Sequence, residues 1–150
     1  MKTITTERFT FKKMTIDNLE TVASLVQQIN DKKSLDEIKK SLSANFNFNN
    51  YMVLGFYDDN KLVGLTSCWS TAKVYSGKQL EVDNVIIDNR LQSKGYGKMF
   101  FNLIEEWAAK RGYKSIELNT YIHNYRSHKF YFNQGYIIDG YHFHKELNQV

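Results

Sequence analysis

The chain has 150 residues, 42% apolar and 24% charged, which suits one domain with a proper core and is short for two. Its one cysteine, Cys68, excludes an internal disulfide, and there is no run of about 18 apolar residues to cross a membrane as a helix. The 20 basic residues exceed the 16 acidic ones by four, a surplus that suits nucleic acid, an acidic membrane surface or an acidic small ligand without choosing among them.

Met1–Glu7 holds no apolar stretch of the kind a secretory signal needs, and the lone thiol suits a reducing compartment, so a cytoplasmic location is expected. Phe9–Met14 alternates as a strand does. Thr15 to Asn18 offers caps for a helix with Leu19, Val22, Leu25, Val26 and Ile29 on one face, and Ser34 with Glu37 forms a capping box for a second helix striped by Leu35, Ile38 and Leu42. Tyr51–Tyr57 and Lys61–Ser70 read as a hairpin around Asp58-Asp59-Asn60, and Gln79–Ile87 as the next strand of the meander, with Cys68 a buried strand thiol. The period then changes to 3.6. Phe100, Leu103, Ile104, Trp107 and Ala108 share a face of a helix opening near Gly97 and closing at Lys110-Arg111-Gly112. Lys114–Thr120 is expected as a strand, Asn124–Gln134 as a helix, and Tyr136–Glu146 as one or two final strands. This order, antiparallel strands first and a β-α-β crossover second, predicts an α/β fold with a mixed sheet in one continuous unit, 1–150.

The segment richest in chemistry joins the apolar strand to the long helix: Val85-Ile86-Ile87, then Gln92-Ser93-Lys94-Gly95-Tyr96-Gly97-Lys98. Glycines let successive N–H groups converge, and a helix N-terminus adds about half a positive charge, so such a turn is suited to phosphate. Two common phosphate motifs are excluded by spacing. A P-loop needs glycine five residues before Gly97 and serine or threonine after Lys98, where this chain has Gln92 and Met99; a dinucleotide fingerprint needs a small residue where Phe100 stands.

The pattern Gln/Arg-x-x-Gly-x-Gly/Ala after an apolar strand resembles that of the GNAT superfamily of acetyl-CoA-dependent N-acetyltransferases. A second stretch, Asn124-Tyr125-Arg126-Ser127-His128-Lys129-Phe130-Tyr131-Phe132-Asn133-Gln134-Gly135-Tyr136, is similar to that family's Asn-x-x-Ala-x-x-Phe-Tyr-x-x-x-Gly-Phe, with Ser127 at the alanine and Tyr136 at the last aromatic. The resemblance implies a mixed antiparallel and parallel sheet of roughly six to seven strands flanked by about four helices. It also implies acetyl-CoA as cosubstrate. Residues 92–98 would cradle its pyrophosphate, backbone of Val85, Ile86 and Ile87 would hold the thioester carbonyl where two parallel strands splay, and Asn124 and Ser127 would lie along the pantetheine arm or orient its loop.

The implied reaction is direct attack of a primary amine on the thioester, which needs a neutral amine, a polarised carbonyl and a proton for the departing thiolate. Tyr131 matches the family's general-acid tyrosine. From a phenol near pKa 10 to a thiolate whose acid is near 8.5, proton transfer is uphill by about 2 kcal/mol. Glu81 and Asp83 lie two apart on one strand, hence on one face with Val82 and Asn84 opposite, and are the candidates for the base. Deprotonating a lysine-like amine at pH 7 costs about 4.6 kcal/mol, so a water relay or a raised carboxylate pKa is needed. A catalytically silent acyl-CoA binder is the alternative on the same fold.

His123, His128, His142 and His144 crowd the last 28 residues, but no cysteine or carboxylate completes a zinc-like set, so no metal is expected. Trp69 and Tyr75 are candidates to line an acceptor pocket. No helix carries a basic face interleaved with base-contacting residues, so neither nucleic acid nor membrane is expected as a partner; the acceptor is a small-molecule or peptide amine, and the chain a monomer or homodimer. The charge surplus is local: residues 90–129 hold eight basic and three acidic side chains, whereas residues 1–89 balance at eleven each. A basic stretch around the glycine turn suits a small polyanionic ligand.

Overall fold

The computed structural model describes residues 4–5 and 8–148 of the chain, so the Met1–Glu7 stretch lies outside them except for the backbone of Ile4–Thr5. It divides into two compact units, Met1–Leu118 and Asn119–Val150.

The first unit is built on one six-stranded sheet whose strands lie in chain order: β1 (Ile4–Thr5), β2 (Phe9–Met14), β3 (Tyr51–Asp58), β4 (Lys61–Lys73), β5 (Gly77–Ile87) and β6 (Ser115–Leu118). All neighbours are antiparallel except β5 and β6, which are parallel. This is the mixed sheet that the order of patterns predicts, with β1 added at the edge. The β3–β4 hairpin closes on Asp59 and Asn60, both at positive φ (45° and 67°), the backbone that a two-residue hairpin turn demands and that Asp and Asn tolerate.

Two helices, α1 (Leu19–Gln27) and α2 (Leu35–Phe46), bury Val22, Ala23, Leu25, Val26, Ile38 and Leu42 in a cluster with Tyr51, Val53, Leu65 and Ile86 of the sheet. The Ser34 and Glu37 capping box forms as read: Ser34 Oγ accepts the Glu37 N–H at 3.2 Å and the Glu37 carboxylate accepts the Ser34 N–H at 2.8 Å. Ile29 lies beyond the end of α1 and is 48% exposed, so it does not join the stripe expected of it. Helix α3 (Tyr96–Lys110) packs its aromatic stripe on the side chains that point the other way. Phe100 stacks on Phe56 at 5.2 Å, and Phe11 meets Phe100 and Trp107 edge-on. Both Phe100 and Trp107 are essentially buried, each contributing about 2–3 kcal/mol by the area it removes from water.

In the second unit, α4 (Tyr125–Asn133) is the one helix among the described residues. The expected strands within Tyr136–Glu146 are absent: residues 136–148 carry no strand, and Ile137, Ile138, Tyr141 and Phe143 are exposed. The alternation is present in the sequence, but a strand exists only through a ladder with a neighbour. His142 and His144 therefore share no strand face.

Candidate functional site

The acidic pair stands where the pattern puts it. Glu81 is in register with Trp69 of β4, and Asp83 with Ser67, while Val82 between them is buried on the opposite face. Beyond Asp83 the register shifts: Leu65 pairs with Ile86 and Ser67 with Asp83, so β5 carries one extra residue and a β-bulge. Asn84 occupies it at φ 39°, left-handed backbone that asparagine adopts more readily than most residues. Asn84 does not stand opposite the acidic pair as expected. Its Nδ2 donates to Ser67 Oγ at 3.0 Å and to Asp83 Oδ2 at 3.3 Å, and its N–H donates to Asp83 Oδ1 at 2.9 Å. The buried Thr66 hydroxyl donates to the Asp83 carbonyl at 2.8 Å and pins the bulge from β4.

The bulge changes which residues of β5 face α1 and α2. Before it the odd-numbered positions share the acidic face; after it Ile86 does. The parallel pairing with β6 stops at Val82 and Leu118. From Asp83 to Ile87 no strand among the described residues pairs with β5 on that side. Val85, Ile86 and Ile87 thus lie on a stretch of β5 that no described strand pairs along that edge. Gly64 lets β4 approach just there, since a Cβ would sit 2.5 Å from the Ile86 carbonyl oxygen.

Strand β5 runs directly into the glycine turn through Asp88. Arg90 donates to the Asp88 carboxylate through Nη2 at 2.6 Å, Nε at 3.1 Å and its backbone N–H at 3.1 Å, holding that carboxyl down at about 2. Gln92 braces the loop from within, its Nε2 donating to Asn89 Oδ1 at 3.0 Å and to the Ile87 carbonyl at 3.3 Å. Ser93 (φ 64°) and Gly95 (φ 80°) are both left-handed, and Gly95 is the N-cap of α3. No side chain caps this helix, so the first-turn N–H groups of Tyr96, Gly97 and Lys98 keep the orphan status common to helix starts. Nothing lies within 4 Å of where a Gly95 Cβ would be. Lys94 and Lys98 are exposed and make no ion pair among the described residues. A helix start without a side-chain cap, left-handed backbone at Ser93 and Gly95, two exposed lysines and free space at Gly95 fit a pyrophosphate.

Helix α4 is closed at both ends. Asn124 Oδ1 accepts the Ser127 N–H at 3.2 Å, a side-chain cap. At the other end the Gly135 N–H donates to the Phe132 carbonyl and the Tyr136 N–H to the Tyr131 carbonyl, each at 3.0 Å, with Gly135 at φ 88°. This is a Schellman stop, and Tyr136 packs edge-on against Tyr131 at 5.8 Å as the apolar partner such a stop takes. The spacing Tyr-x-x-x-Gly-aromatic therefore has a mechanical meaning: it fixes Tyr131 in the last turn. Burial pushes the Tyr131 phenol above its ordinary value, so the proton stays on at neutral pH.

Of the other candidates, Trp69 is half-buried between Tyr51 (4.8 Å) and Phe48 (5.7 Å), whereas Tyr75 is 84% exposed. Burial pushes the Cys68 thiol up to about 12, leaving it inert. Among the described residues no group of three or more His, Cys, Asp or Glu could hold a metal ion, and no helix is long and apolar enough to cross a membrane. Two features escape the sequence reading: the bulge at Asn84, whose only local signal is the Asp83-Asn84 pair, and the role of Gly64, which looks like any strand glycine.

The sequence matches the family model described as Acetyltransferase (GNAT) family over residues 19–136. It is 23% identical over 124 residues to the uncharacterized N-acetyltransferase YhdJ of Bacillus subtilis (strain 168), covering 82% of this chain and 87% of that one. The fold is similar to that of a possible acetyltransferase from Clostridium difficile 630, with a TM-score of 0.81, 18% identity, and coverage of 95% of this chain and 100% of the other. It is also similar to AAC(6')-Iy in complex with the bisubstrate analog CoA-S-monomethyl-acetylneamine, with a TM-score of 0.76, 12% identity, and coverage of 95% and 100%. The match takes in the open turn, the bulged strand and the capped helix together, and the chain belongs to the acetyltransferase (GNAT) family.

Proposed function

We propose that the chain works as a single domain that transfers the acetyl group of acetyl-CoA to a primary amine by direct attack on the thioester. The observation that carries this reading is the continuity of β5: an edge open from Asp83 to Ile87 leads, through Asp88, into a helix start with no side-chain cap. Acetyl-CoA, when bound, supplies the activated carbonyl and the thiol leaving group.

The turn residues Ser93, Lys94, Gly95, Tyr96, Gly97 and Lys98 hold the pyrophosphate through main-chain N–H groups and lysine charge, and Gln92 acts from behind by bracing the loop. Main-chain N–H groups of Val85, Ile86 and Ile87 polarise the carbonyl. Tyr131 keeps its proton and donates it toward the thiolate. Because burial raises the phenol further, complete transfer is uphill by more than the about 2 kcal/mol of the free groups, so Tyr131 works by hydrogen-bond donation. We take Glu81 first and Asp83 second as the base, in keeping with the acidic residue that the resemblance puts on this strand; water relays the proton. Asn124 and Ser127 serve by orienting the start of α4.

The test is release of free thiol from acetyl-CoA across a panel of small and peptide primary amines. Amine-dependent release is expected, and Tyr131→Phe should lower turnover by about 100-fold. Acetyl-CoA binding without release against any amine would reduce the chain to an acyl-CoA binder.

A further inference from the structure

Helices α2, α3 and α4 secure their first turns in two different ways. Helix α2 is capped by Ser34 and α4 by Asn124, each side chain accepting an N–H of its own first turn. Helix α3 has no such cap, yet its start is anchored, and the anchor comes from 38 residues away. Tyr96, the first residue of α3 and the one between Gly95 and Gly97, donates its hydroxyl to Asp58 Oδ2 at 2.7 Å. Asp58 ends β3 and is 8% exposed. The same carboxylate is gripped by the Arg8 guanidinium, Nε on Oδ1 at 2.5 Å and Nη2 on Oδ2 at 2.7 Å. This paired geometry is the strong form of a charge-assisted hydrogen bond. The Tyr96 ring is further fixed edge-on by Phe9 at 6.4 Å and Phe56 at 6.1 Å.

We propose that Asp58, held by Arg8, is a positioning residue for cofactor binding: it tethers the Tyr96 side chain so that the glycine turn keeps its phosphate-binding backbone while its amides stay open. A local cap would secure the turn by consuming those amides. A turn with a glycine on each side of Tyr96 and left-handed backbone at Ser93 and Gly95 is otherwise costly to order, and ordering it before the ligand arrives is what raises affinity. The inference rests on the reading of residues 92–98 as the pyrophosphate turn.

The test uses the full chain, with calorimetric titration of coenzyme A and amide hydrogen exchange on Tyr96→Phe, which keeps the ring and its contacts. Coenzyme A is expected to bind about 10- to 150-fold more weakly than to the wild type, the range set by one lost hydrogen bond to a charged group. Exchange should accelerate at Met99, whose N–H donates to the Gly95 carbonyl as the first bonded amide of α3, while Ile104–Lys110 and the central strands stay unchanged. Asp58→Ala, which removes the acceptor, should give the same signature, and Tyr96→Phe with Asp58→Ala should be no weaker than the worse single variant; Asp58→Ala alone carries the test if Tyr96→Phe does not fold. Affinity within twofold of wild type, or faster exchange spread across the sheet, would overturn the tether. Failure of the wild type to bind coenzyme A would instead overturn the phosphate reading of the turn, and the tether with it.

Discussion

The two stretches that carry the family resemblance are both built around a helix end and a glycine, and they use these in opposite ways. At Gln92–Lys98 the helix end is left open: Gly95 supplies left-handed backbone, no side chain caps α3, and the anchoring is done from Asp58. At Asn124–Tyr136 both ends are closed, by Asn124 in front and by the Gly135 stop behind. An open end offers main-chain donors to a ligand, whereas a closed helix offers a fixed side chain. The same residue type thus leaves main-chain donors open in one place and builds a mounting for Tyr131 in the other.

That contrast can be broken one end at a time. Gly97→Glu puts a carboxylate into the open end, and acetyl-CoA affinity should fall by at least about 100-fold, roughly 3 kcal/mol, with the melting temperature of the ligand-free chain unchanged or slightly raised, because an acidic first turn favours a helix. Equal thermal shifts by acetyl-CoA in both proteins would contradict it. Gly135→Ala attacks the closed end. The space around it is empty, so the cost is conformational, about 1–2 kcal/mol for an L-residue in left-handed backbone, and it should appear as faster exchange at Tyr131–Tyr136 with acetyl-CoA affinity retained. Asn124→Ala should cost about 1 kcal/mol at the front of the same helix, read by urea unfolding.

The smallest effect concerns the approach to the open end. The Asp88 carboxyl, lowered to about 2 chiefly by its hydrogen bonds from Arg90, contributes stability that is full above the unfolded value near 4 and is lost as the pH falls from there through about 2. Asp88→Asn should remove that part of the acid sensitivity, so that the melting temperatures of variant and wild type converge below about pH 2. An unaltered gap between pH 6 and pH 2 would show that Asp88 does not titrate in the folded chain as described.

Much of this was legible in the residues. The capping box at Ser34 and Glu37, the α3 stripe, the hairpin at Asp59-Asn60 and the glycine turn all depend on neighbours in sequence, and periodicity or turn chemistry finds such features. What was not legible depends on residues far apart. The bulge at Asn84 becomes visible only when β5 is laid against β4 and Leu65 is found opposite Ile86 while Ser67 is opposite Asp83. Its consequence, Asn84 turning back to Ser67, reverses a face assignment that strict alternation dictates. The tether from Asp58 to Tyr96 spans two elements with no shared pattern. The expected strands after Tyr136 fail for the converse reason: local alternation is present, but among the described residues no neighbour supplies a ladder.

The proposed function turns on binding of the cofactor's phosphates at the uncapped start of α3. Amide exchange of the wild-type chain with and without coenzyme A tests it most directly. Exchange is expected to slow chiefly at Ser93–Lys98, with smaller protection along Val85–Ile87, and pantetheine, which lacks the pyrophosphate, should leave Ser93–Lys98 unprotected. Binding of coenzyme A that leaves the amides of Ser93–Lys98 exchanging at their free rates would contradict it.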